Sequence, residues 1–148
     1  MLDETYNFET GTSFQEFEFD STGPKGIVRK VVQYSETNLK DLYNLGFGDK
    51  DESSTGKIND LIITNNGDSQ KVLATVALTL YVFIKYFPNA SVIAIGVTPT
   101  RTRLYRMGIS NNLEAIEKDF YVFGLRNNVW HKFAKGTSYD AFLVRRKK

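Results

Sequence analysis

The chain has 148 residues, 41% of them apolar, with 11 Phe and 8 Tyr, enough to bury the core of a single domain. It has no cysteine and one histidine, which excludes a disulfide framework, thiolate chemistry and ordinary Cys/His zinc sites. Its net charge of +2 hides a division: residues 1–68 carry 13 acidic and 6 basic side chains, residues 69–148 carry 4 and 13. Such polarity means either two halves of one fold that attract each other or a polyanion partner for the C-terminal half. Any metal would need mainly oxygen ligands, and no cofactor is implied.

The opening MLDETYNFET has no basic region followed by an apolar run, so no secretory signal is expected and a cytoplasmic, bacterial-type protein is the default. Tyr6–Glu9 reads as a short edge strand, turned by Gly11-Thr12-Ser13. Phe14–Asp20 alternates: Phe14 leads, Phe17 and Phe19 share one face, and Glu16, Glu18 and Asp20 share the other. Gly23-Pro24-Lys25-Gly26 turns the chain into GIVRKVVQYS, an antiparallel return strand with Ile27, Arg29 and Val31 on one face and Arg29 or Lys30 set against the acids. Leu42–Asp49 is a third strand.

Asp49–Asp60 is polar and reads as mobile. Asp49, Asp51, Ser53, Thr55 and Asp60 fall at calcium-loop spacing, but Ser54 stands where the loop needs glycine and Asp60 where it needs glutamate, so no calcium site is expected. Leu61–Thr64 is a further apolar β-run, ended by the turn Asn65-Asn66-Gly67-Asp68.

Asp68–Phe87 is too long for an ordinary strand and reads as the central helix, capped by Asp68 or Ser69 and stopped by Pro88. Its apolar content exceeds an amphipathic stripe, so Leu73, Val76, Ala77, Leu80, Phe83 and Ile84 are expected in the core. Lys71, Thr75 and Thr79, then Val82 and Tyr86, form a narrow wetter edge. Lys71 and Lys85 bracket only 13 residues, too few to cross a membrane.

From Ser91 the run SVIAIGV is an apolar strand that ends at Gly96, and Thr98-Pro99-Thr100 starts a second helix through TRTRLYRM. Gly108 is expected to break or bend that helix, and Asn111 with Glu114 to restart it in capping-box spacing, Leu113 and Ile116 facing inward. Phe120–Arg126, the Asn127-Asn128 turn and VWHKF form a hairpin with one of Trp130 and His131 facing the core, and YDAFLV is a last strand before the basic tail. The order predicts an α+β fold, a mainly antiparallel sheet packed by a long buried helix and a second helical segment.

No strong catalytic signature is present. The candidate ligand site is the start of the second helix, with Thr98, Thr100, Arg101 and Tyr105 as ligand-binding residues, because a strand running into a helix N-terminus offers unpaired N–H donors to an anion. Lys71, Arg103 and Arg106 are candidate polyanion contacts, and nucleic acid or a protein is the candidate partner. The bland reading pairs Arg101 with Asp68 or an acid of residues 49–60, and solvates Arg103 and Arg106.

FDSTGPKGIVRKVVQY, NNGDSQKVLATVA, TPTRTRLYR and YNLGFGD together resemble a family of small proteins of unknown activity found mostly in Bacteroidota. More loosely, Asn66–Ile109 resembles the helix, strand, helix core of the Gcn5-related N-acetyltransferases, whose cofactor pyrophosphate sits on a glycine-rich turn before the central helix. That resemblance implies a degenerate acyl-CoA-dependent enzyme as the alternative function. The turn departs from the family's pattern: Asn65-Asn66-Gly67-Asp68-Ser69-Gln70 has one glycine and puts a carboxylate where phosphate would lie.

Overall fold

The computed structural model describes residues 4–50, 58–59, 65–96 and 98–147. Alternation gives β2 (Glu16–Gly23) two unlike faces, with Phe17, Phe19 and Ser21 buried and the acids turned away. The strand before it, β1, is only Glu9–Thr10. Tyr6, expected in that strand, instead donates its N–H to Thr75 Oγ1 at 2.8 Å and stacks its ring on Phe19. Phe14 sits before β2 at φ +58, with its ring on Tyr86.

β3 (Gly26–Glu36) returns antiparallel with Phe17 opposite Val32 and Asp20 opposite Arg29. Ile27, Arg29 and Val31 do share a face, but it is the one opposite Phe17 and Phe19, and Ile27 is 73% exposed. There Arg29 gathers Glu9, Glu18 and Asp20 at 2.8, 3.0 and 3.1 Å. On the core face Lys30 lies opposite Asp49 of β4 (Leu42–Lys50) and meets its Oδ1 at 2.5 Å. Asp49, first of the calcium-spaced residues, is therefore held in a buried pair, as such a charge requires. Asp51, Ser53, Thr55 and Asp60 lie outside the described residues, as does the expected strand Leu61–Thr64.

The far end of β4 carries β5 (Ile58–Asn59), and its near end runs parallel to β6 (Ser91–Ala94). Between them α1 (Ser69–Tyr86) makes the crossover and buries Leu73, Val76, Ala77, Leu80, Phe83 and Ile84. The expected wetter edge is dry at Thr75 and Thr79, both fully buried. Each hydroxyl returns to the helix's own carbonyls, Lys71 O and Val76 O at 2.7 Å, while Thr79 also meets the Tyr34 hydroxyl at 2.9 Å. Asp68 occupies the N-cap without a side-chain cap bond.

β6 ends at Ala94, short of the expected Gly96, and Ile95 beyond it is 51% exposed. α2 (Pro99–Asn111) passes through Gly108 unbroken, and that glycine lies against Leu73 of α1, where a Cβ would stand 3.3 Å from the leucine. α3 (Leu113–Asp119) is preceded by Asn112 rather than Asn111 at its N-cap, and the Asn112 amide returns to Gly108 O at 2.9 Å. Leu113 and Ile116 face inward as expected. β7 (Phe120–Arg126) and β8 (Val129–Lys132) are joined through Asn127 and Asn128, both at positive φ as a tight hairpin demands. Because β8 is the sheet edge, Trp130 and His131 are both exposed, contrary to expectation. β9 (Ala141–Arg146) inserts between β6 and β7.

The strand order is β1-β2-β3-β4-β6-β9-β7-β8, antiparallel except at β4–β6, with β5 off this path. The helices cover one face, where Phe17, Tyr34, Phe47, Val92, Phe142 and Val144 form one core with them. This is the α+β fold expected. Among the described residues no helix is long and apolar enough to cross a membrane.

Candidate functional site

α2 begins where β6 ends, and the approach is close: a Cβ on Gly96 would stand 2.3 Å from Thr102 N and Oγ1. The helix start is largely satisfied from within. Thr98, at the N-cap, accepts the Arg101 N–H on its hydroxyl at 3.1 Å, its carbonyl takes the Thr102 N–H at 3.0 Å, and Pro99 has no N–H to give. Of the first-turn amides, that of Thr100 is left without a helix partner. An anion here would rest on side chains more than on the helix terminus.

Those side chains exist. A cleft of about 510 Å³ opens between the N-terminal half of α2 and residues 138–140, lined by Thr98, Thr102, Arg103, Arg106, Ser138 and Asp140 among others. Arg106 is steadied by donating from Nη1 to Ser138 Oγ at 3.0 Å. Asp140 is the opposing charge on its wall.

The four ligand-binding candidates are not gathered at one surface. Thr98 lines this cleft, and Thr100 lines a second hollow of about 320 Å³ together with Arg103, Lys30, Phe47, Asp68 and Ser69. Arg101 turns inward, 5% exposed, and donates from Nη1 to the Phe47 carbonyl of β4 at 2.5 Å. Tyr105 belongs to the core between α2 and the sheet. Of the polyanion candidates, Arg103 and Arg106 share the cleft, whereas Lys71 lies over the Tyr6 ring at 4.3 Å and reaches Glu4 at 3.5 Å. Ser138 and Asp140 carried no local signal in the sequence, since they sit more than 30 residues beyond Arg106 and reach it only through the placement of β9.

The turn before α1 is occupied by the protein itself. The Asn66 side chain accepts the Lys25 N–H at 2.7 Å and donates to Gly26 O at 2.9 Å, gripping the Gly23–Gly26 turn. Asp68 Oδ2 accepts the hydroxyls of Ser21 and Tyr6 at 2.6 and 2.5 Å. Among the described residues no cluster of three or more His, Asp or Glu gathers as for a metal.

Ion pairing is also unevenly distributed. Among the described residues, Arg29 with Glu9, Glu18 and Asp20, Lys50 with Glu18, and Lys30 with Asp49 all lie within the acidic half, and Lys71 with Glu4 joins the halves. Part of the acidic half's charge is thus met by that half's own cations.

These features define an α+β sheet domain with a basic cleft beside its second helix. Residues 2–147 match a family of unknown function, DUF6934, and the chain belongs to that family. No curated protein and no solved structure matches the chain.

Proposed function

We propose that this chain is a cytoplasmic, non-enzymatic binding module whose α2 cleft takes a phosphate-bearing anion. The observation that carries the reading is the convergence of Arg103 and Arg106 with Thr98, Thr102 and Ser138 on one cleft, Arg106 being held in place by Ser138. Arginine's planar fork suits phosphate oxygens, and hydroxyls complete such a shell. Arg101 and Tyr105 act as buried supports that hold the helix. Calorimetric titration with tripolyphosphate tests this: the Arg103→Ala, Arg106→Ala double variant should lose binding, and Asp140→Asn should tighten it. Unchanged affinity in the double variant would overturn the reading.

The degenerate acetyltransferase-like alternative draws support from the β4–α1–β6 parallel crossover followed by α2. Against it stands the turn at the start of α1, where Asn66 and Asp68 are committed to Lys25, Gly26, Ser21 and Tyr6. A carboxylate at that helix start repels phosphate. A thermal shift on adding coenzyme A, absent with tripolyphosphate, would favour the enzyme reading.

A further inference from the structure

Among the described residues the helices lie on one face of the sheet, and the other face is divided by charge. At the β2–β3 end it carries Glu16, Glu18, Asp20 and Arg29, with Arg29 ion-paired to Glu18 and Asp20. At the other end, the register sets Tyr121 beside Arg145, Phe123 beside Leu143 and Lys132, and Leu125 beside Trp130, so all of these share the helix-free face. The strands β6, β7, β8 and β9 contain no acidic residue. Tyr121 is 45% and Trp130 40% exposed, a large aromatic surface to leave in water. Arg145 and Lys147 lie over the Tyr121 ring, at 5.1 and 5.4 Å from its centroid, and Lys147 also donates to the Glu117 carbonyl at 2.5 Å. Tyr121 therefore steadies two cations, while Trp130 presents an open ring.

We infer that this face of β8-β7-β9 binds single-stranded nucleic acid, with Trp130 as the stacking platform and Lys132, Arg145 and Lys147 as phosphate contacts. Rings interleaved with cations on an open sheet offer what an unpaired strand needs, a π-face for each base and charge for its backbone. A duplex keeps its bases stacked on one another and has no use for the rings. Protein interfaces are depleted in lysine at their centres, whereas here two lysines and an arginine stand among the aromatics. From the Trp130 row to the Tyr121 row is four residues along β7, about 13 Å, a span suited to two or three bases. The inference does not rest on the α2 cleft, which lies on the helix side of the sheet.

Trp130 is the chain's one tryptophan, so its emission reports this face alone. The whole chain would be titrated with a labelled oligouridylate of about ten nucleotides and with a duplex of equal length, following Trp130 emission and label anisotropy. The expected result is quenching by the single strand and not by the duplex, with log affinity falling by about 0.7 per phosphate contact for each decade of salt. Trp130→Ala should weaken binding roughly tenfold, Trp130→Phe should retain most of it, and Lys132→Ala with Arg145→Ala should flatten the salt dependence. These side chains are exposed, so circular dichroism should be unchanged. Binding without quenching, or binding lost in Arg103→Ala, Arg106→Ala but kept in Trp130→Ala, would assign the strand to the α2 cleft and overturn the inference. So would sedimentation showing self-association that shields Trp130 with no oligonucleotide bound.

Discussion

Asn66 is fully enclosed and its amide bridges two turns far apart in sequence, holding Lys25 and Gly26 against the start of α1. Asn66→Ala strands the Lys25 N–H and the Gly26 carbonyl, and should lower unfolding free energy by about 2 kcal/mol in a denaturant titration. Gly23→Ala should do worse, because its Cβ would stand 2.0 Å from the Asn66 carbonyl oxygen. Glu18 carries the clearest pH signature. Burial pushes its carboxyl up, but hydrogen bonds from Lys50 and Arg29 outweigh that and hold it below its ordinary 4.5. A folded-state pKa below the unfolded value contributes stability that is present above the unfolded pKa and lost as pH falls through the folded one. Melting temperature should therefore decline in acid, and Glu18→Gln should make that decline shallower as pH falls below the ordinary 4.5.

At the scale of elements, α1 is the keystone because both its apolar excess and its threonines are buried. Leu80 sits 7% exposed within the core cluster, so Leu80→Ala should cost about 2 to 5 kcal/mol; a loss under about 0.5 kcal/mol would show that α1 is not the core. The Tyr34 ring stacks on Phe83 at 4.2 Å, and its hydroxyl meets Thr79, whose own proton goes to Val76 O. Tyr34→Phe keeps the stack and removes the hydrogen bond, with an expected loss of about 1 kcal/mol by the same titration.

At the scale of the whole molecule, the two arginine positions on α2 answer different questions. Arg101 ties the helix to β4 through the Phe47 carbonyl, so Arg101→Ala should lower the melting temperature and leave tripolyphosphate binding unaltered. Arg103→Ala with Arg106→Ala should show the reverse, since Arg103 is exposed and Arg106 reaches only a surface serine. A destabilised double variant with intact binding would show that these arginines serve the fold. The charge division has the same two-sided character: Glu9, Glu18, Asp20 and Asp49 of the first half are paired with that half's own cations, and much of the basic charge of the second half faces solvent.

Local chemistry alone determined much of this. The alternation at Phe17 and Phe19, the apolar excess from Val72 to Ile84, the Asn127-Asn128 turn and the Thr98-Pro99 helix start each act within a few residues, and each element stands where those signals put it. What the tertiary structure decided were the outcomes that depend on which partner arrives across the sheet. Thr75 and Thr79 look like a wet edge until Tyr6 and Tyr34 come to meet them. Ile27, Arg29 and Val31 share a face, but only the register decides that it points away from α1, and Gly108 looks like a break until Leu73 packs against it. The candidate site divided along the same line: the cations of α2 were legible, but their sorting into buried Arg101 and cleft-lining Arg103 and Arg106 depended on β4 and on Ser138. Burial and pairing are properties of neighbours distant in the chain, and a single sequence carries no register between them.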